Sequence, residues 1–467
     1  MNDPKPQTAW SRLAAQYRTV FRGGATRLSG IPDAGAKRQL LRRWMWQGSM
    51  PKIPSVLRRV GPGLITGAAD DDPSGIATYS QAGAQLGLQS LWSVLFAWPL
   101  VVAVQVICAR IGVVTDRGLA ANLRDNLPRP VLLAVVGSLL LANTLNISAD
   151  LAAIGDAIQL LFDGPQHLYS LGAGLLCVYL QINIPYDRYI GILKWLTLSL
   201  LAYAGVVFTV HIPWKQVIHH AVFPTLQWTP AYVSMIVAIF GTTISPYLFF
   251  WQTAHEIEER KAVRLSNSET KRELAKALRR VRHDTAFGMG VSIFIAFFIM
   301  LTTAVTLHVS GVTDIQSSRQ AAEALRPVVG QLAFLMFSLG IIGSGMLAVP
   351  VLAGSAAYAV AESLEHPTGL SLQPAEARTF YIVIAVATLV GAALDFTPID
   401  PIKALYWSAI VNGIVAVPLL FIILWMAGLR KVLGGFVIKG SLLFLGRVAA
   451  GMMALCAILM IALFIWN

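Results

Sequence analysis

The chain has 467 residues, 56% hydrophobic and 13% charged, with mean hydropathy +0.63 and formal net charge +12. That balance excludes an ordinary soluble enzyme or a string of soluble domains and points to one helical bundle in a membrane. The positive charge is accounted for by where the cations fall between apolar runs, so nucleic acid is not expected as a partner.

Residues 1–56 read as a basic cytoplasmic arm; the chain to residue 59 holds 12 Lys/Arg against only Asp3 and Asp33. Trp10, Trp44 and Trp46 suit an arm resting on anionic lipid. The first apolar run begins only after this arm, and no cleavable signal is expected. A bilayer core needs about 20 apolar residues per helix. Eleven such stretches are predicted, centred near residues 72, 102, 146, 176, 200, 245, 295, 345, 387, 413 and 454. None shows the alternation of a barrel strand, which leaves helices as the spanning element. Residues 57–427 are then expected to form a ten-helix core, and 428–467 a cytoplasmic loop with the eleventh span. Cys108, Cys177 and Cys456 fall inside spans as small buried hydrophobes, without metal spacing or a disulfide framework.

Charge sets the orientation. Residues 260–284 hold nine cations, among them Arg260, Lys261, Lys271, Arg279 and Arg280. Arg117, Arg124, Arg129, Arg430, Lys431 and Lys439 fall on the same side as the arm; the opposite side has chiefly Lys215, Arg319, Arg326 and Lys403. The basic side is expected to be cytoplasmic, which puts the N-terminus inside and the C-terminus outside.

The first span, "RRVGPGLITGAADDDPSGIATYSQAGAQLG", is interrupted by Asp70, Asp71, Asp72, Pro73 and Gly75. Pro73 removes a backbone donor and Gly75 tolerates unwound dihedrals, so the helix is expected to break there. The sixth span has a matching interruption at Gly241, Thr242, Thr243, Ser245 and Pro246. With two five-helix repeats, spans one and six take equivalent places. Paired broken helices of that kind mark an inverted-repeat transporter with a midplane site. An intramembrane acid costs about 2.5 to 3.5 kcal/mol, so Asp72 is expected to face a cavity or an ion. Three consecutive residues cannot share one helical face. Asp70 and Asp71 are therefore placed along the ion route, with one of them capping a half-helix or carrying a proton.

At these residues the sequence resembles the Nramp family of divalent metal transporters, most like its magnesium-carrying branch. The likeness extends through "QAGAQLG" and, by hydropathy layout, over residues 60–466. It implies eleven helices, an inverted five-plus-five repeat like that of amino-acid and sodium symporters, and alternating access. The departures are informative. Where the family has Asp-Pro-Gly-Asn, this chain has Asp72, Pro73, Ser74 and Gly75; where it has Ala-x-x-Met-Pro-His, this chain has Thr242, Thr243, Ile244, Ser245, Pro246 and Tyr247. A soft thioether has become a hydroxyl, and hard oxygen donors suit Mg²⁺. Mg²⁺ keeps several waters and asks for a roomy acidic pocket. Asp72, Ser74, Gly75, Thr242, Ser245 and the carbonyl of Ala69 are the expected metal site; Mg²⁺ is the favoured substrate, with Mn²⁺ also admitted. No resident cofactor is expected.

The family's proton relay pairs an Asp with a Glu on the third helix and adds the sixth-helix His. Here Asp150 is kept, position 153 is Ala, and Tyr247 replaces the His. Uptake driven by membrane potential without protons is the simplest expectation, since a dication gains about 4.6 kcal/mol per 100 mV. A proton-coupled Mn²⁺/Fe²⁺ carrier is the alternative, and an organic-solute symporter on the same fold a third. A membrane enzyme is not expected, because no nucleophile is paired with a base. Asn143, Asn146 and Asp150 align on one face of the third helix; they either hydrogen-bond between helices or line the ion route.

"HEIEER" at 255–260 lacks the second His of a zinc protease and reads as the acidic end of the sixth helix. Asp284, Asp395 and Asp400 are expected as loop or cap residues, and His211, His219 and His220 as an outer polar loop. "SSRQAAEALRPVVG" suggests a short amphipathic helix that gates the outer side, and "GIIGSGM" and "AGSAAYA" suggest packing seams.

Overall fold

The computed structural model describes residues 66–67, 69–184, 198–263, 271–397 and 399–466. The arm expected at 1–56 lies outside them. Among the described residues the chain is all helical, with no strand. Helices satisfy their own backbone groups, which is what an apolar solvent demands.

Among the described residues seven helical stretches are long and apolar enough to cross a bilayer: Pro73–Thr115, Arg129–Leu161, Pro230–Lys261, Arg272–His308, Arg326–Ser363, Pro401–Ala427 and Ser441–Ile465. Ser199–Thr209 and Arg378–Leu394 are shorter apolar helices. The first stretch contains the second half of the first expected span and the second expected span. They turn at Gly87, whose φ of 58° is a left-handed conformation open to glycine.

We label the main helices α1 (Pro73–Leu86), α2 (Leu91–Thr115), α3 (Leu119–Asn126), α4 (Arg129–Leu161), α5 (Gln166–Asn183) and α6 (Trp214–Val222). They continue as α7 (Pro230–Thr243), α8 (Pro246–Val263), α9 (Lys271–Thr303), α10 (Ser318–Glu323), α11 (Ala333–Ser363), α12 (Arg378–Leu394), α13 (Pro401–Ala427) and α14 (Ser441–Trp466). The most extensive helix pair is α4 with α11, while α1 is packed among α9, α13, α7 and α4. Burial shows which helices are central. The apolar window of the α7/α8 pair is 100% buried and that of α14 only 28%, so the former lies at the heart of the bundle and the latter at its rim.

The second half of each of the first and sixth expected spans starts on a proline. Pro73 opens α1 and Pro246 opens α8, where a missing N–H costs nothing and the fixed φ suits a helix start. The residue before each proline is driven out of the helical region; Asp72 has φ −69° and ψ 168°. The first break therefore falls at Asp71 and Asp72, just ahead of Pro73, and Gly75 lies inside the first turn of α1. Gly241 differs from expectation in the same way. It is helical within α7, which runs on to Thr243, and the chain departs from the helix at Ile244 with φ −111° and ψ 58°.

The reason for Gly241 is a neighbour. A Cβ there would lie 2.1 Å from the carbonyl oxygen of Ala409 and 2.6 Å from the amide of Gly413, so α7 and α13 cross backbone to backbone. The expected seams in α11 also have partners: Gly345 sits against Ile154 and Pro73, and Gly354 against Trp251. On the far end of α1, Gln81 accepts from the amide of Ile315 at 2.8 Å and donates to the carbonyl of Thr313 at 3.2 Å, tying down the loop that leads into α10.

Candidate ion site

Asp72 caps α1. Its Oδ1 accepts from the amide of Gly75 and from the Ser74 hydroxyl, both at 2.7 Å, which satisfies one of the orphan donors of a helix start. Of the three consecutive acids it is thus Asp72 that takes the capping role expected of Asp70 or Asp71. The other oxygen, Oδ2, accepts from Nδ2 of Asn146 on α4 at 3.1 Å. A Cβ built on Gly75 would come within 3.3 Å of the Asp70 carbonyl, the Thr242 hydroxyl and the Tyr79 ring, so the turn closes tightly over this carboxylate.

The second break meets the first through hydroxyls. Ser74 Oγ lies 3.3 Å from Thr242 Oγ1, and Tyr79 OH lies 2.9 Å from Thr243 Oγ1. Ser245 donates its hydroxyl to the carbonyls of Gly241 (2.8 Å) and Thr242 (2.6 Å), so its proton points back at the end of α7 and its lone pairs stay outward. Carbonyls at a helix C-terminus carry the negative end of the helix dipole, an arrangement that favours a cation. Tyr247 donates to the carbonyl of Ala69 at 2.9 Å, which ties α8 to the stretch before the first break.

The third-helix residues part company. Asn146 Nδ2 also donates to Asp150 Oδ2 at 3.2 Å, so both join Asp72. Asn143 instead faces α11, donating to the carbonyl of Leu352 at 3.0 Å and to the Ser355 hydroxyl at 2.7 Å. It is a helix-to-helix contact. Asp70 and Asp71 turn toward α9, where the single hydroxyl of Ser292 bridges Asp70 Oδ2 at 2.7 Å and Asp71 Oδ1 at 3.0 Å.

Three residues of this cluster lie beyond the sequence reading, Ser292, Tyr79 and Asn412 of α13, while Thr243 is expected at the break and not in the site. Asn412 donates to Asn146 Oδ1 at 2.8 Å. An Asn in the middle of an apolar span is itself a signal, because intramembrane polar groups are costly unless they pair.

Asp70, Asp71, Asp72 and Asp150 are each no more than 3% exposed. Among the described residues none of them pairs with Lys, Arg or His. Removing an ion from water costs several kcal/mol even after relaxation, so these carboxylates require a cation or protons to balance them. No cluster of three His, Cys, Asp or Glu side chains has metal-holding geometry among the described residues. A cation at Asp72 would therefore take a mixed shell of carboxylate, hydroxyl, amide and carbonyl oxygens, with water.

The other singled-out groups serve the scaffold. Asp400 caps α13, accepting from the amides of Ile402 (3.0 Å) and Lys403 (3.3 Å). Asp395 pairs with His167 at 3.1 Å. His219 and His220 lie on α6 with their rings 5.4 Å apart. In the acidic end of α8, Glu256 accepts from Gln252 at 3.0 Å, Glu258 takes the Tyr358 hydroxyl, and Glu259 pairs with Arg280 at 2.6 Å.

Comparison with known proteins matches this architecture. The divalent metal cation transporter MntH of Aeromonas hydrophila is 26% identical over 306 residues, 64% of this chain and 72% of that protein. MntH of Klebsiella pneumoniae is 28% identical over 303 residues, 62% and 68%. A solved manganese transporter of Eremococcus coleocola superposes with TM-score 0.66 at 17% identity, covering 89% of this chain and 87% of that one. Mhp1, a nucleobase-cation symporter in a closed conformation, aligns with TM-score 0.51 at 14% identity, covering 86% and 92%. The model of the Nramp family, described as natural resistance-associated macrophage protein-like, matches residues 63–463, and the chain belongs to that family.

Proposed function

We propose that this protein carries a divalent metal cation across a cytoplasmic membrane by alternating access, as a transporter and not an enzyme. One observation carries the reading: a buried carboxylate, Asp72, with no Lys, Arg or His partner among the described residues, stands at one helix break and is joined through Ser74 to the Thr242 hydroxyl at the other. Asp72, Ser74, Gly75, Thr242, Ser245 and the Ala69 carbonyl form the metal site, with Asn146 and Asp150 beside it. The two relatives named MntH are called divalent metal cation transporters and the solved relative a manganese transporter, which supports the cargo class.

Within that class the donors are all hard oxygens or amides. Carboxylate, carbonyl, hydroxyl and water suit Mg²⁺ and Mn²⁺ and give no preference to softer metals, so Mg²⁺ is the favoured cargo with Mn²⁺ a second. The driving force is the membrane potential, because position 153 is Ala and Tyr247 is committed to the Ala69 carbonyl. A proton-coupled Mn²⁺ carrier is the rival reading, and the Asp70–Ser292–Asp71 bridge is what favours it: two buried carboxylates on one hydroxyl are well placed to share a proton.

Proteoliposome flux separates these. With Mg²⁺ and Mn²⁺ as competing cargoes, we expect saturable uptake of both that responds to an inside-negative potential and is indifferent to an imposed pH gradient. Exclusion of Mg²⁺, or uptake that collapses without the pH gradient, would establish the rival.

A further inference from the structure

The contact between α4 and α13 is an amide pair with a direction. Asn412 Nδ2 donates to Asn146 Oδ1 at 2.8 Å, which leaves Asn146 Nδ2 to donate to Asp72 Oδ2 at 3.1 Å and Asp150 Oδ2 at 3.2 Å. Both Asn residues are 0% exposed, and Asn412 Oδ1 is buried with no hydrogen-bond partner. An orphaned buried acceptor costs about 1 to 3 kcal/mol, so its persistence at a helix crossing beside the site calls for a reason.

A carboxamide has a donor end and an acceptor end of the same shape, and turning it over exchanges them. In the present orientation the Asn146 NH₂ sits between two carboxylate oxygens and takes the place of a cation. Once a cation binds Asp72 Oδ2, that NH₂ faces positive charge and its placement becomes unfavourable. Turning over both amides restores the Asn–Asn contact in reverse: Asn146 Nδ2 donates to the oxygen of Asn412 that is now unpaired, and Asn146 Oδ1 faces the ion, which replaces the amide's two bonds to Asp72 and Asp150. One Asn–Asn hydrogen bond exists before and one after, so the two bonds from Asn146 to the carboxylates hold the present orientation until the ion replaces them.

We propose that Asn146 and Asn412 form a paired amide switch that supplies an additional oxygen ligand to the transported cation, with Asn412 as the positioning residue that permits the turn. The inference rests on Asp72 being the cation site.

The test uses full-length protein in proteoliposomes, with Mn²⁺ alone as cargo and KM and Vmax read separately. The Asn412→Asp carboxylate can only accept a hydrogen bond, so it holds Asn146 in the ion-bound orientation; KM is expected to fall several-fold with Vmax little changed. Asn146→Leu removes the oxygen, and KM is expected to rise about tenfold, the lower end of what is lost when a metal site loses a supporting group. The double variant decides the cause. If the Asn412→Asp change acts through Asn146, adding it to the Asn146→Leu variant leaves KM where Asn146→Leu put it. An equal fall in both backgrounds would show a mere field effect and overturn the switch, as would no fall in either. Should Asn146→Leu fail to fold, Asn146→Ala takes its place in the cycle. Asp72→Ala is measured in parallel: retained uptake there defeats the site itself, whereas lost uptake there with unresponsive Asn variants defeats only the switch.

Discussion

Substituting Gly241 by Ala tests how closely the site depends on the crossing of α7 and α13. The added Cβ would meet the Ala409 carbonyl at 2.1 Å and the Gly413 amide at 2.6 Å, against 3.4 Å or more for ordinary contact. The nearest atoms it meets are all backbone, so no side chain can swing aside and the helices must separate by about 1 Å. Overpacking of this kind costs typically about 1 to 3 kcal/mol. The displaced contacts include Thr242, the next residue, whose hydroxyl reaches Ser74 at 3.3 Å. Misplacing an active group by about 1 Å can cost on the order of a hundredfold in rate, and we expect Mn²⁺ uptake per folded protein to fall at least tenfold. The comparison is Gly137→Ala on α4, where nothing lies within 4 Å of the new Cβ. Uptake into proteoliposomes, normalised to the monodisperse fraction, is the assay. If Gly241→Ala transports like Gly137→Ala and unfolds at the same temperature, the backbone crossing does not position the site.

Ser245→Met introduces a thioether beside Thr242, and competition by Cd²⁺ against Mn²⁺ uptake should strengthen; an unaltered competition profile would remove Ser245 from the site. Tyr247→Phe leaves the Ala69 carbonyl without its 2.9 Å donor, and thermal unfolding in detergent should report a loss of about 1 to 3 kcal/mol, the cost of a buried unsatisfied group. Asp400→Ala strips the cap from α13 at a cost of about 1 kcal/mol. Its Mn²⁺ KM should stay at the wild-type value while its unfolding temperature falls, because Asp400 sits at the start of α13, well along the helix from Asn412.

What the sequence disclosed and what it hid follow from the range of each interaction. Acid, proline and glycine interrupting an apolar run are local signals, so both breaks and Asp72 were legible, and Ser74 and Thr242 came with them. The exact position of each break was shifted because Pro starts a helix as readily as it stops one, which places the unwound residues at Asp71 and Asp72. The role of Gly241 was not legible at all; it depends on Gly413, more than 170 residues away, crossing at that height. Helical periodicity put Asn143, Asn146 and Asp150 on one face, but a face about 10 Å long meets two neighbours. Asn143 accordingly meets α11 while Asn146 meets Asp72. Ser292 is a small polar residue in an apolar helix, and only the folded chain shows that two carboxylates share its hydroxyl.

Asp72 is the single residue on which the transport reading stands, since it supplies the charge at the meeting of the two breaks. Mn²⁺ uptake into proteoliposomes by Asp72→Ala, purified with the elution profile of the unaltered protein, is the most direct measurement. We expect uptake at the level of empty vesicles under an inside-negative potential. Saturable uptake with an unchanged KM would mean that the cation travels without this carboxylate and that the site lies elsewhere.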